Sequence, residues 1–187
     1  GYYKITEYVN GLFDMESNDI RGLNYTYNAD GYIWKYLGVD KTTARAASEN
    51  DQNYIIYRLA DVLLMKAEAL IMQGHNEEAA DLIDRTRERA GLGETTLSDD
   101  RMVMLETLLV ERQKEFFGEG KNWFDLLRIG LRSEQLNDTQ YKTLFVEQAL
   151  KAVGASRQSL GRATLANSGS WYLPYSEDEL SKNPLLE

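Results

Sequence analysis

A chain of 187 residues with 43% hydrophobic and 27% charged side chains has the size and balance of one folded domain, too short for two and too apolar for a disordered tail. A net charge of −9 with no offsetting basic cluster makes nucleic acid and anionic membranes poor partners, and the lack of cysteine excludes disulfides, thiol catalysis and cysteine metal sites. No apolar run nears the ~20 residues that cross a bilayer, and Gly1-Tyr2-Tyr3 carries no export-signal chemistry, so such a signal is expected upstream.

Seven of the twelve tyrosines precede residue 40, whereas Pro174 and Pro184 both fall near the end. The chain therefore divides into an irregular start, a helical middle and an extended tail. In the start, Leu23, Tyr25 and Tyr27 alternate with polar neighbours, Asn28-Ala29-Asp30-Gly31 supplies turn chemistry, and Tyr32, Trp34 and Tyr36 alternate after it. Two period-2 runs about a Gly-ending loop predict a small β-hairpin.

From Tyr54 to Gln73 one apolar stripe runs through Leu59, Val62, Leu63, Ala67 and Leu70, and a second through Ile56, Ala60, Leu64 and Ile71. Two stripes predict a helix buried on two sides, stopped by Gly74. Asn76 is a candidate cap for a second helix with Glu77 and Glu78 in its first turn, an inner face of Ala79, Leu82, Ile83, Thr86 and Ala90, and Arg85, Arg87 and Arg89 near its end. A third helix is expected after Ser98 and ends at Gly118. A fourth spans Asn122 to Ile129, before Gly130, and a fifth runs from Thr139 to Val153. The Ser-, Gly- and Ala-rich stretch Gly154 to Ser170 reads as a long loop, and Trp171 to Glu187 as an extended tail.

Catalytic chemistry finds little support. Glu111, Glu115 and Glu119 repeat at i, i+4, i+8, but a glycosidase needs two carboxylates facing across a cleft from different elements. With Arg112 and Lys114 alongside, ion pairing to neighbouring segments is the expected role. His75 is the only histidine and reads as a turn residue. Gly118-Glu119-Gly120 lacks the further glycine of a phosphate loop and places a carboxylate where phosphate would approach. No catalytic residue, metal or cofactor is expected.

The aromatic run Tyr25, Tyr27, Tyr32, Trp34 and Tyr36 offers flat faces with polar tips, suited to stacking on a sugar ring, although the same pattern also packs a hairpin on helices and packing is the commoner role. The stretch Ser156 to Ser170 is the other candidate for ligand contact.

The spacing of Leu63, Ala67, Leu70, Gly74, Ala79 and Ile83 is close to one tetratricopeptide unit, which suggests a cap on a helical array lying upstream. Tyr57 to Ala69 resembles the helix that marks the carboxy-terminal domain of SusD/RagB proteins, and Arg87-Glu88-Arg89-Ala90-Gly91-Leu92 resembles the end of that family's next helix. Glu111-Arg112 through Glu119-Gly120, then Trp123-Phe124-Asp125-Leu126-Leu127-Arg128, and finally Trp171-Tyr172-Leu173-Pro174 with Asn183-Pro184-Leu185 follow in the family's order. Asn18-Asp19-Ile20-Arg21 and Trp34-Lys35-Tyr36 fit its preceding segment, which has the look of scaffold. Asn122 stands where the family often has arginine. The resemblance implies a mainly α fold with a tetratricopeptide-like helix pair, further helices, a small hairpin and long loops, with residues 1–187 the carboxy-terminal domain of a longer protein. It further implies a non-enzymatic glycan-binding subunit at the outer-membrane surface, delivering substrate to a SusC-like TonB-dependent transporter and held by a lipid anchor outside this segment. A tetratricopeptide scaffold for peptides and a glycoside hydrolase are the rival readings.

Overall fold

The computed structural model describes residues 4–15, 18–49 and 53–173, together with Ser176 and Ser181. Tyr2, Tyr3 and the tail motifs from Pro174 to Leu185 lie outside these, apart from those two serines. Among the described residues the chain is helical with almost no strand: α1 (Glu7–Asp14), α2 (Leu59–Gln73), α3 (Asn76–Arg89), α4 (Arg101–Glu115), α5 (Asn122–Leu136), α6 (Thr139–Leu150) and α7 (Ala155–Leu165). None of these helices is long and apolar enough to cross a membrane.

The pair α2–α3 forms as its punctuation dictates. Gly74 adopts φ 82° and its N–H returns to the Ile71 carbonyl, so α2 stops and the chain reverses within two residues. Ala60, Ala67, Ala79 and Ala80 line the seam, where small side chains let the backbones approach. Asn76 does not cap α3; its side-chain amide donates to the Ser98 carbonyl at 2.8 Å, and His75 holds the cap position. The cap of α4 lies two residues beyond Ser98, on Asp100, whose carboxylate accepts from the Met102 N–H at 2.7 Å.

One core runs through α2 to α6. Leu64, Ile71, Ile83, Met104, Leu105, Leu108, Ile129 and Phe145 are wholly excluded from solvent, each contributing about 1.5–3 kcal/mol by burial. Of the second predicted stripe of α2, Ala60, Leu64 and Ile71 are buried, whereas Ile56 lies exposed before the helix. The first is buried only in part: Ala67 is wholly covered and Leu70 packs on the core, but Leu59 and Val62 stay exposed, so the start of α2 is left open on that side. Its helix also begins at Leu59 rather than Tyr54, leaving residues 53–58 without regular structure and Arg58 extended just before it.

Three further expectations are corrected. Gly130 does not stop α5, which continues to Leu136 and closes on Asn137 in the left-handed region. Instead Gly130 lets helices meet, since a Cβ there would lie 3.0 Å from the Phe145 ring and 3.1 Å from Trp171. The expected loop after Gly154 is α7, which has no buried residue and is tied down by the Arg162–Glu147 ion pair. The predicted hairpin closes only as an isolated antiparallel bridge between Tyr27 and Ile33, around the expected turn in which Gly31 takes φ 82°. Its first arm is a turn: Asn24 has φ 66°, and the N–H groups of Tyr25 and Thr26 return to the Gly22 carbonyl.

Candidate functional site

Three features stand out: a buried ionic network, an aromatic surface, and an apolar cleft beside both. The network grows from α4, whose last five residues, Glu111 to Glu115, are all buried. Arg21 reaches Glu111 at 2.6 Å and Glu115 at 3.1 Å, and grips Asp19 at 2.8 Å. Glu115 is also paired by Arg58 and Arg89. Although α4 ends at Glu115, the turn through Gly118 and Gly120, both with positive φ, brings Glu119 back to Arg58 at 2.9 Å and Lys35 at 2.8 Å. The three glutamates are thus ion-paired to distant segments, as their spacing beside cations suggested.

A second branch starts at Arg112. Its guanidinium holds Asp125 through Nε and Nη2, both at 2.8 Å, and Asp61 at 2.9 Å. Lys121 completes Asp61, the work of the residue before Asn122, which itself is exposed. Glu68 is held by Arg128 at 2.7 Å and Arg132 at 3.1 Å. Burial alone would raise these carboxyls, but their cations win. Glu115 is held down to about 2 by Arg89 and Arg58, and Asp19, Asp61 and Glu68 are lowered likewise by their partners. Groups fixed in the anionic form and ringed by cations are poor proton donors.

The five candidate aromatics do not share one face. Tyr27 (6% exposed) packs on Phe13, and Trp34 (9% exposed) donates its indole N–H to the Asp40 carbonyl at 2.7 Å while covering Gly38. These two anchor the segment. Tyr25 (45% exposed) presents its ring to solvent with the Lys41 ammonium 4.6 Å from its centroid, and half-buried Tyr32 has Lys4 at 5.1 Å. Tyr36 stacks on Tyr54, with centroids 6.4 Å apart and planes 9° off parallel. Tyr54 in turn donates to the Glu119 carbonyl at 2.6 Å. The second half of this surface, Tyr54 and Tyr57 (72% exposed), went unmarked because helical periodicity absorbed both residues into α2. The Ser156–Ser170 candidate is a solvated helix followed by a turn. His75 sits half exposed in its turn, 3.1 Å from Glu78.

The cleft, about 580 Å³, opens between α1 and the α4–α5 turn. Tyr8, Arg112, Gln113, Phe117 and Trp123 are among the residues that line it. Gln113 accepts the Tyr8 hydroxyl at 2.6 Å.

The sequence model of the SusD family matches residues 3–187. Among curated proteins of Formosa agariphila, SusD-like protein P38 is 38% identical over 89 residues, covering 43% of this chain and 18% of the relative. SusD-like protein P2 is 34% identical over 113 residues, covering 54% and 21%, and SusD-like protein P25 is 33% identical over 123 residues, covering 64% and 22%. The matched part of the chain thus spans about a fifth of the length of these relatives. No solved structure matches the chain.

Proposed function

The chain belongs to the SusD family, and from that premise we propose that it is the carboxy-terminal domain of a non-enzymatic subunit that captures oligo- or polysaccharide at the cell surface. The subunit passes glycan to a SusC-like TonB-dependent transporter and is held at the outer membrane by a lipid anchor outside this segment. The observation that carries the binding role is the pairing of exposed tyrosine faces with a rigid support. Exposed Tyr25 and half-buried Tyr32 project from a segment anchored by Tyr27 and Trp34 and bolted to α4 through Arg21 and Lys35, while Tyr36, its hydroxyl buried, backs the exposed ring of Tyr54. Flat rings with hydroxyl tips on a fixed base suit the apolar faces and hydroxyls of sugar rings.

Against turnover stands the state of Glu68 and Glu115, which are ion-paired and held anionic where a glycosidase needs a carboxyl raised to donate a proton. The open side of α2, with Leu59 and Val62, suits packing by helices that precede this domain in a longer protein.

Affinity electrophoresis through polysaccharide gels tests this reading. The domain should be retarded by at least one polysaccharide, and a combined Tyr25→Ala and Tyr32→Ala variant should migrate freely while unfolding at the wild-type denaturant midpoint. Retardation that survives the double substitution would place binding elsewhere, and migration unaffected by any polysaccharide would refute the role.

A further inference from the structure

We infer that the pocket lined by Arg21, Tyr25, Arg58 and Arg89 takes a sugar ring bearing an oxyanion, a carboxylate or a sulfate ester, so that the glycan captured at the Tyr25 surface is an acidic one. The inference rests on the glycan-binding reading above and names the substrate class of that surface.

The pocket, about 310 Å³, is lined by the segment around Tyr25 and by the last residues of α3 and α4, Arg89 and Glu115. Its volume lies at the lower end of the roughly 300–1,000 Å³ of small-molecule sites, room for one sugar ring. Ile20 and Tyr25, both about half exposed, give it an open apolar side.

Charge in the pocket separates by depth. Glu115 and Glu119 line it, and Asp19 and Glu111 pair with Arg21 without lining it; these four side chains are 0 to 2% exposed. Lys114 is equally sealed, 3.5 Å from Asp19. The remaining cations are open: Arg21 is 11%, Lys35 20%, Arg58 25% and Arg89 59% exposed. Among the described residues that line the pocket, the charges that solvent reaches are therefore all positive. Lys41 adds an exposed ammonium 4.6 Å from the Tyr25 ring centroid. Asp40 and Glu88 adjoin Lys41 and Arg89 in sequence, but neither lines the pocket. The Asp40 carboxylate accepts the N–H groups of Thr42 and Thr43 at 2.8 Å, and Glu88 lines another pocket with Asp81 and Asp84.

The donors are not equally spent. Arg58 uses Nε, Nη1 and Nη2 on Glu115 and Glu119, whereas Arg89 bonds through Nη2 alone among the described residues. A guanidinium fork with donors to spare matches the paired oxygens of a carboxylate or sulfate, and a neutral ring would desolvate these cations without returning an anion. The Lys35 ammonium is held below its ordinary range, by burial first and by Arg58 as well, although Glu119 accepts from it at 2.8 Å. An oxyanion nearby would raise it again. These cations come from separate segments between residues 21 and 89, so a chain of net charge −9 shows no basic run to announce them.

The test titrates the whole chain with glucuronate, glucose 6-sulfate, glucose and inorganic sulfate while the amide signals of Tyr25 and Arg89 are followed by NMR. Both signals should move with glucuronate or glucose 6-sulfate at a dissociation constant on the order of 1 mM, and the sugar that wins tells carboxylate from sulfate. Glucose should bind about tenfold more weakly or not at all, and an about tenfold rise in salt should weaken the acidic sugar several-fold. Arg89→Gln should cost about tenfold in affinity and Arg89→Lys less, at urea midpoints that show both variants folded, since Arg21 and Arg58 still pair Glu115. In the wild-type chain, stationary signals with both acidic sugars, parity with glucose, or binding indifferent to salt would overturn the inference. Inorganic sulfate binding as tightly as both acidic sugars would leave an adventitious anion site only, and would overturn it too. Retardation by a neutral polysaccharide in gels would survive each of these results, so the two readings fail separately.

Discussion

Glu115→Gln isolates the ionic network from the packing around it. The substitution keeps the volume of the side chain and removes only its charge. In the folded chain Glu115 is buried and faces Arg21, Arg58 and Arg89. Its carboxyl falls from an ordinary 4.5 to about 2, which at about 1.4 kcal/mol per tenfold step corresponds to about 3 kcal/mol of stability. Because the folded value is depressed, that contribution is complete above pH 4.5 and is lost as pH falls towards 2. Urea unfolding of wild type and variant at several pH values is the assay. The variant should be about 3 kcal/mol less stable at pH 7, and the gap should close between about pH 4.5 and pH 2. A gap under about 1 kcal/mol at pH 7, or one that does not change with acid, would refute the claim that charge pairing fixes this helix.

Other substitutions probe separate links. Arg112→Lys cannot span Asp125 and Asp61 together and should cost about 3 kcal/mol in urea unfolding, beyond what a surface pair is worth. Gly130→Ala gains about 1 kcal/mol of helix propensity but forces a methyl against Phe145 and Trp171, so the net effect should be a loss of about 1 kcal/mol, visible in Trp171 fluorescence during unfolding. Asp100→Ala removes the α4 cap and should lower stability by about 1 kcal/mol without altering the fluorescence of the native state.

The elements legible in the sequence are those where local chemistry and tertiary packing agree. Gly74 stops α2 in the left-handed conformation that only glycine takes easily, and the alanines of the α2–α3 seam carry the helical period that buries them. Where the two disagree, the sequence misleads. Gly130 has the signature of a helix stop, yet its lack of a side chain serves the contact of α5 with Phe145 and Trp171. The α7 segment has no apolar stripe because it fully buries no residue and sets only Leu165 against the core, so periodicity cannot reveal it. Tyr25, Tyr27 and Trp34 alternate like strand residues, but Asn24 turns the chain before a ladder can form. The row Glu111, Glu115 and Glu119 signalled pairing, whereas its partners Arg21, Arg58 and Lys35 lie 57 to 94 residues away and carry no local mark. Trp123 belongs to a recognisable family block, but nothing in its spacing tells that its ring opens onto a cleft.

The most direct test of the central claim is to hold the domain saturated with a polysaccharide that retards it in gels and to measure the release of new reducing ends over time. The account predicts sustained binding with no reducing ends above the protein-free control. Steady release of oligosaccharide, abolished by Glu111→Gln or Glu119→Gln in folded protein, would contradict it and make one of the paired carboxylates a catalyst.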